Sequence, residues 1–267
     1  MIPLKIAIVT GASSGMGREC VIQLWEHFKG FDEIWVVARR TERLKQLQRQ
    51  VGVPLRIFGL DLRWEKDRRE LGDALKKRMP SVKFLVNGAG FGRIGQSQDL
   101  TTESQADMVA LNCQALCAIT RMVLPYMEYN SRVIQFASAA AFLPQPGFAV
   151  YAASKAFVLS YSRALNRELK SRRIYVTAVC PGPVRTEFFD LAETTGKIPL
   201  YKRLVMADPG RVTAKALRDS IAGKELSVYG LTMKVFHLLC GILPHGLILT
   251  LMDAVSQGAV KQDRPMK

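Results

Sequence analysis

The first thirty residues constrain the fold most, because an apolar run ends directly at a glycine-rich turn that opens a helical stretch. The run covers residues 5–9, the turn reads Thr10-Gly-Ala-Ser-Ser-Gly-Met-Gly17, and a helical pattern continues to about Lys29. A strand, a glycine turn and a helix in this order begin a parallel βαβ unit, and the helix N-terminus can bind phosphate. The segment therefore predicts an α/β fold with an anion site near its start.

The same alternation continues along the chain. Further apolar runs cover residues 33–38, 55–59, 84–87, 132–136 and 174–179, and helical patterns begin near Thr41, after Asp61, and near 102–127 and 151–171. Strands separated by crossover helices form a parallel sheet with its sites at the carboxyl ends of the strands. We expect a Rossmann-type doubly wound parallel sheet with helices on both faces, in one domain. Its core spans 1–230, with a loop-like segment from Pro181 to about Ala207 and a helix starting at Asp208-Pro209, and an apolar helical extension spans 231–267.

Composition supports a folded α/β domain and narrows the partners only weakly. The 267 residues are 48% hydrophobic and 23% charged, which disfavours disordered and fibrous classes. The net charge of +15 attracts anions such as phosphates, acidic lipid surfaces or nucleic acid. The basic clusters at 63–70 and 76–78 read as solvated helix faces, so we predict no nucleic-acid site.

Cysteine and histidine spacing indicates neither a disulfide framework nor a metal site. The five cysteines are scattered and odd in number, which favours a reducing, cytoplasmic setting. The amino terminus lacks the pattern of a signal peptide. His27, His237 and His245 have no ligand spacing, so no metal is expected.

Four separated motifs carry candidate chemistry. Gly11, Gly15 and Gly17 are spaced to let a backbone approach a pyrophosphate. Tyr151 and Lys155 are four residues apart, which places them on one face of a helix. Ser138 follows the 132–137 strand and Asn112 lies on a preceding helix. Each signal alone is modest, and together they form a constellation that chance rarely assembles in this order.

With these marks the chain resembles the classical short-chain dehydrogenases/reductases over residues 4 to about 230, and among them NADP-dependent hydroxysteroid dehydrogenases. Further matching marks are Asp61-Leu62 after the third strand, Asn87-Gly88-Ala89-Gly90 after the fourth, and Pro181-Gly182. Gly88 departs from the pattern, because the family usually has a second asparagine there. A sheet-stabilising role of that side chain is therefore lost, while the chemistry is expected to survive.

The resemblance implies a catalytic tetrad of Asn112, Ser138, Tyr151 and Lys155. Moving a hydride to or from a carbon that bears oxygen requires a proton to leave or reach that oxygen, and Tyr151 is the predicted acid/base. Lys155 is expected to lower the tyrosine pKa and to bind the ribose hydroxyls. Ser138 would hold the substrate oxygen, and Asn112 would position a water that relays protons from Lys155.

The cofactor is predicted from the end of the second strand. NAD sites offer a carboxylate there to the ribose 2′-hydroxyl, whereas this chain has Ala38-Arg39-Arg40, which suits the 2′-phosphate of NADP(H). The alternative is that both arginines only solvate a helix start. The full predicted NADP(H) site comprises Gly11, Ser13, Ser14, Gly15, Met16, Gly17, Arg39, Arg40, Asp61, Leu62, Asn87, Gly88, Ala89, Gly90, Tyr151, Lys155, Pro181, Gly182, Val184 and Thr186.

Apolar segments flank the candidate catalytic residues and predict a lipophilic substrate. Residues 139–148 and 188–191 are rich in alanine, phenylalanine and leucine. We expect a hydroxysteroid, a bile acid or another apolar alcohol or ketone as the substrate. The predicted substrate-binding residues are Ser138, Ala140, Leu143, Phe148, Tyr151, Phe188 and Phe189. A 3-oxoacyl or general carbonyl reductase is the alternative enzyme. A non-catalytic NADP-binding sensor and a membrane-surface scaffold are other classes, and these aromatics could simply pack the core.

The carboxyl-terminal extension contains an uncharged stretch at 235–252, which Pro244-His245-Gly246 interrupts. The break favours two short helices over one membrane span. These helices could cover the substrate mouth, pack on a sister subunit in a homodimer or homotetramer, or lie on a membrane surface. The sequence leaves the three alternatives open.

Overall fold

The computed structural model describes residues 3–28, 30–192 and 206–250. Within them, seven parallel strands form one sheet in the order β3-β2-β1-β4-β5-β6-β7. The strands are β1 (Lys5–Thr10), β2 (Glu33–Val37), β3 (Leu55–Phe58), β4 (Ser81–Asn87), β5 (Met127–Phe136), β6 (Tyr175–Val179) and β7 (Leu226–Ser227). The order reverses between β1 and β4, which marks the point where ligands bind in open α/β sheets.

Helices cover both faces of the sheet. They are α1 (Gly15–His27), α2 (Thr41–Gln48), α3 (Glu65–Arg78), α4 (Thr102–Val109), α5 (Leu116–Val123), α6 (Ala149–Glu168), α7 (Glu187–Ala192), α8 (Pro209–Ile221) and α9 (Leu231–Ile242). One core packs α1, α2 and α8 against the sheet, and the other packs α3, α5 and α6. The predicted doubly wound α/β architecture is confirmed.

The predicted elements are present, with corrections at their ends and in one loop. β4 and β5 begin earlier than predicted, at Ser81 and Met127, and the two-residue β7 was too short to leave a pattern. The segment predicted as loop-like contains α7, so this prediction was wrong there. The short helix has little periodicity of its own, and contacts of its first two residues with distant elements stabilise it. Lys29 and residues 193–205 lie outside the described residues.

The turn after β1 packs tightly on the turn after β4. Gly11 has a positive φ of 68°, and a Cβ there would lie 2.6 Å from the Gly88 carbonyl carbon. A Cβ on Gly88 would in turn lie 2.8 Å from the Thr10 carbonyl oxygen. The absence of the family's asparagine at position 88 therefore goes with a close backbone contact between the two turns.

The carboxyl-terminal extension is helical on both sides of the predicted break. α9 ends at Ile242, and residues 245–250 are helical after Pro244. The inner face of α9 contacts the domain, because Met233 and Phe236 pack against the cluster around Phe142. Its outer face is exposed and apolar, and with a residue of the following helix it comprises Leu231, Val235, Leu238, Leu239, Ile242 and Leu247. Residues 251–267 lie outside the described residues.

One helical run among the described residues, Thr102–Tyr126, has the length and hydropathy of a membrane span. This run combines α4, a π-helical turn, α5 and a short 3₁₀ turn at its end. It packs against α3 and α6 beside the sheet, as a core helix of an α/β domain does. The run is therefore part of the domain that builds the site.

Candidate active site

A cleft with a volume of about 690 Å³ runs along the carboxyl ends of the strands. It joins the glycine turn at one end to the apolar segments at the other. It brings together most of the predicted site residues: Gly11, Ser13, Ser14, Gly15, Met16, Gly17, Arg39, Arg40, Asp61, Leu62, Gly88, Ala89, Gly90, Ser138, Ala140, Phe148, Tyr151, Lys155, Pro181, Gly182, Val184, Thr186, Phe188 and Phe189.

Three predicted residues do not line this cleft. Leu143 is 2% exposed and packs with the core beneath it, so the structure does not bring it to the substrate side. Asn87 points into the interior, where its Nδ2 donates to Thr120 Oγ1 and Gln135 Oε1, both at 3.0 Å. Asn112 is buried behind the cleft wall. Asn87 and Asn112 are thus placed to hold backbone and neighbouring side chains.

Tyr151 lies between two aromatic rings. Phe148 stacks on it with ring centroids 4.2 Å apart, and Phe188 contacts the ring at 5.2 Å. This burial raises the pKa of Tyr151 to about 12, against the opposing effect of a hydrogen bond with the Ser138 side chain. The expected lowering of this pKa is not what the structure shows. Removal from water outweighs the hydrogen bond with Ser138, so the hydroxyl stays protonated near neutrality.

Lys155 lies one helical turn after Tyr151 and is also buried. Its Nζ donates to the Phe136 carbonyl at 2.7 Å and lies 5.7 Å from the centre of the Tyr151 ring. Burial lowers the pKa of Lys155 to about 8, while Cys113 and Cys180 act in the opposite direction. Lys155 therefore gives up a proton far more readily than Tyr151 does. It can return a proton to the Tyr151 phenolate close to neutral pH.

Asn112 lies in the π-helical turn Ala110–Ala115 between α4 and α5. Its Oδ1 accepts from Phe91 N at 3.1 Å, and its Nδ2 donates to Phe91 O at 2.9 Å. The same Nδ2 donates to Ser154 Oγ at 3.0 Å, and Ser154 donates to the Tyr151 carbonyl at 2.7 Å. Asn112 therefore ties the loop after β4 to the helix that carries the tyrosine and lysine. Sequence reasoning missed Ser154, although it lies between them.

The glycine turn offers backbone donors to an anion. The N-cap of α1, Ser14, makes no side-chain hydrogen bond to the first turn, so the N–H groups there are not capped by it. Gly15 also has a positive φ of 53° and lies against Thr186, one of the predicted cofactor residues. These backbone N–H groups at the start of α1 face the long cleft. They can therefore bind the pyrophosphate of a dinucleotide.

The arginines at the end of β2 behave differently from one another. Arg39 is 64% exposed and its Nη1 lies 3.9 Å from Asp61 Oδ2. Asp61 pairs more closely with Arg63, at 2.6 Å. Burial would raise the pKa of Asp61, but hydrogen bonds from Arg63 outweigh it and the pKa is lowered. Arg39 is thus free to turn toward a ligand, whereas the Asp61 carboxylate is already engaged.

Arg40 is held across the cleft. Its Nη2 donates to Ser14 Oγ at 2.8 Å and to Ser13 Oγ at 3.2 Å, while its Nη1 pairs with Glu187 Oε2 at 2.8 Å. Arg43 pairs with the other oxygen of Glu187. Hydrogen bonds from Arg43 and then Arg40 lower the pKa of Glu187. Sequence reasoning missed Glu187, because no local pattern links it to residues about 145 positions earlier.

The tail contributes to the cleft. Met233 and Phe236, on the inner face of α9, line it. A Cβ on Gly182 would lie 2.6 Å from Met233 Sδ, so α9 sits directly on the Pro181-Gly182 turn. Of the three alternatives for the extension, the structure supports the cover over the substrate mouth, and the exposed outer face leaves the other two open.

Comparison with known proteins agrees with this geometry. A sequence model described as short chain dehydrogenase matches residues 5–195. Sulfoacetaldehyde reductase 2 of Chromohalobacter salexigens is 34% identical over 189 residues, which cover 68% of this chain and 74% of that protein. A solved short-chain dehydrogenase from Sphingobium yanoikuyae in complex with NADPH has a TM-score of 0.73 at 25% identity, and the match covers 99% of this chain and 98% of the other.

A second solved relative is named for the ketones that it accepts. The bulky-bulky ketone specific alcohol dehydrogenase from Comamonas testosteroni matches with a TM-score of 0.68 at 25% identity. The match covers 100% of this chain and 96% of the other. The likeness to both structures therefore extends over the site and the regions around it.

Proposed function

The chain belongs to the short-chain dehydrogenase family, and on that premise we propose that it is an NADP(H)-dependent oxidoreductase that interconverts a secondary alcohol and a ketone on a lipophilic substrate. Family membership rests on the match over residues 5–195, and it makes the chain an oxidoreductase. The observation that carries the proposal is the single cleft that joins Arg39, the glycine turn, Tyr151 and the apolar walls.

The residues of the cleft fit NADP(H). Ser13 to Gly17 and the start of α1 would hold the pyrophosphate, Arg39 and Arg40 the 2′-phosphate, and Val184 with Thr186 the carboxamide. The bound nicotinamide would supply or accept the hydride. The relative in complex with NADPH supports this choice over NAD(H).

The chain's own residues would manage the proton. Ser138 would hold the substrate oxygen next to the Tyr151 hydroxyl, since both side chains line the cleft and interact with each other. With its raised pKa, Tyr151 is protonated at neutral pH and donates to the oxygen of a ketone that is being reduced. Lys155, which is buried behind it, would resupply the proton and stabilise the phenolate.

The walls near Tyr151 favour a flat, apolar substrate, with a hydroxysteroid or bile acid first. Phe148, Phe188, Met233 and Phe236 line this end, and each 100 Å² of apolar surface that they bury contributes about 2.5 kcal/mol. The relative specific for bulky-bulky ketones supports a carbonyl flanked by large groups.

A general carbonyl reductase is the second candidate, with 3-oxoacyl compounds among its substrates. The observation that favours it is the relative named sulfoacetaldehyde reductase, whose named substrate is a small anionic aldehyde. With its net charge of +15, the chain would also attract such an anion.

The proposal also covers the cellular location and the oligomeric state of the protein. A cytoplasmic setting is supported by five cysteines that are all free thiols. A homodimer or homotetramer, or contact with a membrane surface, is supported by the exposed apolar outer face of α9.

A substrate panel tests the proposed reaction. Steroid ketones, bile acids, 3-oxoacyl compounds and small aldehydes are each mixed with NADPH or NADH, and the absorbance of the reduced nicotinamide is followed. We expect the highest kcat/KM for a steroid or bile acid with NADPH. Best turnover of a small aldehyde would support the second candidate, and binding without turnover would indicate a sensor.

Tyr151→Phe tests the mechanism within that panel. The change removes the transferable proton and keeps the ring, so kcat should fall by about 10³-fold or more while NADPH still binds. Tyr161→Phe is the matched control, because it removes a hydroxyl from the same helix outside the cleft. Activity of Tyr151→Phe within tenfold of the parent would refute the assignment.

A further inference from the structure

Glu187 is the first residue of α7 and reaches the adenosine end of the cleft. Its carboxylate is 40% exposed and pairs with Arg40 through one oxygen and with Arg43 through the other. The next residue, Phe188, lies against Tyr151. The Glu187 carboxylate is therefore ion-paired with the Arg40 guanidinium at the end of the site where a nucleotide phosphate is expected.

Arg40 does not depend on Glu187 for its position. Its Nε donates to Ser13 Oγ at 3.3 Å, and its Nη2 donates to Ser13 Oγ at 3.2 Å and to Ser14 Oγ at 2.8 Å. Only Nη1 is directed at Glu187. If the carboxylate is lost, the guanidinium keeps its place on the glycine turn and gains a free N–H pair for another acceptor.

The 2′-phosphate of NADP(H) is such an acceptor. Like other phosphate monoesters it carries nearly two negative charges at neutral pH, so a neighbouring carboxylate repels it while it competes for the same donor. NAD(H) lacks this phosphate and makes no such demand on Arg40. The effect of Glu187 must therefore differ between the two cofactors.

We propose that Glu187 is a specificity-determining residue, whose carboxylate competes with the adenosine 2′-phosphate for Arg40 and lowers the preference for NADP(H) over NAD(H). The inference rests on the proposed cofactor site. Arg43 makes the competition reversible, because Glu187 can keep that partner when the phosphate takes Arg40. The residue thus tunes the NADP(H) preference and leaves binding of the shared part of the cofactor unchanged.

Equilibrium binding of NADP⁺ and NAD⁺ to the parent and to Glu187→Gln tests the proposal, with calorimetry or tryptophan fluorescence as the readout. The glutamine keeps the size of the side chain and removes its charge. We expect the Kd for NADP⁺ to fall about fivefold, which corresponds to about 1 kcal/mol. The Kd for NAD⁺ should change less than about twofold, and the gain for NADP⁺ should shrink at about 0.5 M salt, where charges are screened beyond roughly 4 Å.

Glu42→Gln is the matched control. Glu42 lies on α2 next to Arg43, is 76% exposed and pairs with Lys45, so its loss changes the net charge of the same helix without freeing Arg40. An equal rise in the NADP⁺ preference of this variant would overturn the proposal, as would an unchanged or lower preference in Glu187→Gln. Failure of the parent to bind either nucleotide would refute the proposed function and this inference with it, whereas binding with an unchanged ratio overturns the inference alone.

Discussion

Replacement of Lys155 by methionine should change how stability depends on pH. The pKa of Lys155 falls from 10.5 to about 8 because burial disfavours the ammonium. Between these two values the unfolded chain binds more protons than the folded one, so this group makes the protein more stable as the pH rises. Methionine has a similar length and no charge, and it removes this contribution.

The pKa shift sets the magnitude. At about 1.4 kcal/mol per pH unit, the buried ammonium costs about 3 kcal/mol at pH 7 and about 2 kcal/mol at pH 9. Methionine removes this cost but leaves the Phe136 carbonyl without its donor, which costs about 1–3 kcal/mol. We therefore expect the unfolding free energy of Lys155→Met to equal or exceed the parent's at pH 7. The difference between the two proteins should shift against the variant by about 1 kcal/mol by pH 9.

Urea unfolding at pH 7, 8 and 9, followed by tryptophan fluorescence, measures this difference. Groups that do not interact with Lys155 titrate alike in both proteins, so their contribution cancels in it. Cys113 and Cys180 do interact with Lys155, but burial raises the pKa of both thiols, which keeps their contribution small. Lys66→Met is the control, because it removes an exposed lysine that stays hydrated in both states. A flat difference between Lys155→Met and the parent would refute the reasoning. Weaker NADP⁺ binding by the stabilised variant would show that function, and not stability, requires the buried charge.

Three other perturbations test separate parts of the molecule. Arg39→Ala should weaken NADP⁺ binding about tenfold to a hundredfold and hardly affect NAD⁺ binding, because charge-assisted hydrogen bonds to the phosphate contribute about 1.5–3 kcal/mol. Equal losses of affinity for both cofactors in a binding titration would indicate that Arg39 stacks on the adenine instead. Gly88→Ala should lower the unfolding free energy by roughly 1–3 kcal/mol, since its Cβ would meet the Thr10 carbonyl at 2.8 Å, and an unchanged urea midpoint would contradict this. Truncation before Val235 removes Phe236 from the cleft and should raise the KM for bulky substrates. A changed native mass or lost liposome co-sedimentation would assign the outer face of α9 to a subunit or a bilayer, and a variant that keeps its kinetics and its mass would refute both roles.

The sequence by itself determined the architecture and the list of chemical groups. Apolar runs of strand length, a glycine turn and helical periodicity are local features, so they predicted the parallel sheet. They also placed the glycine turn, Asp61-Leu62, Asn87–Gly90, Ser138 and Pro181-Gly182 at the carboxyl ends of strands. The four-residue spacing of Tyr151 and Lys155 is also local, since one turn of α6 brings both side chains to the same side. These predictions depended on few neighbours, and the structure has them where they were expected.

Only the tertiary structure decided the surroundings of those groups. Tyr151 is enclosed by Phe148 and by Phe188 from a helix that periodicity did not reveal, and this enclosure raises its pKa instead of lowering it. Leu143 belongs to an apolar segment that reaches the cleft, yet its own side chain turns into the core. The pairing of Glu187 with Arg40 joins residues 147 positions apart. Periodicity shows which face of an element is buried, but solvation, charge and access depend on side chains that only the folded chain brings into contact.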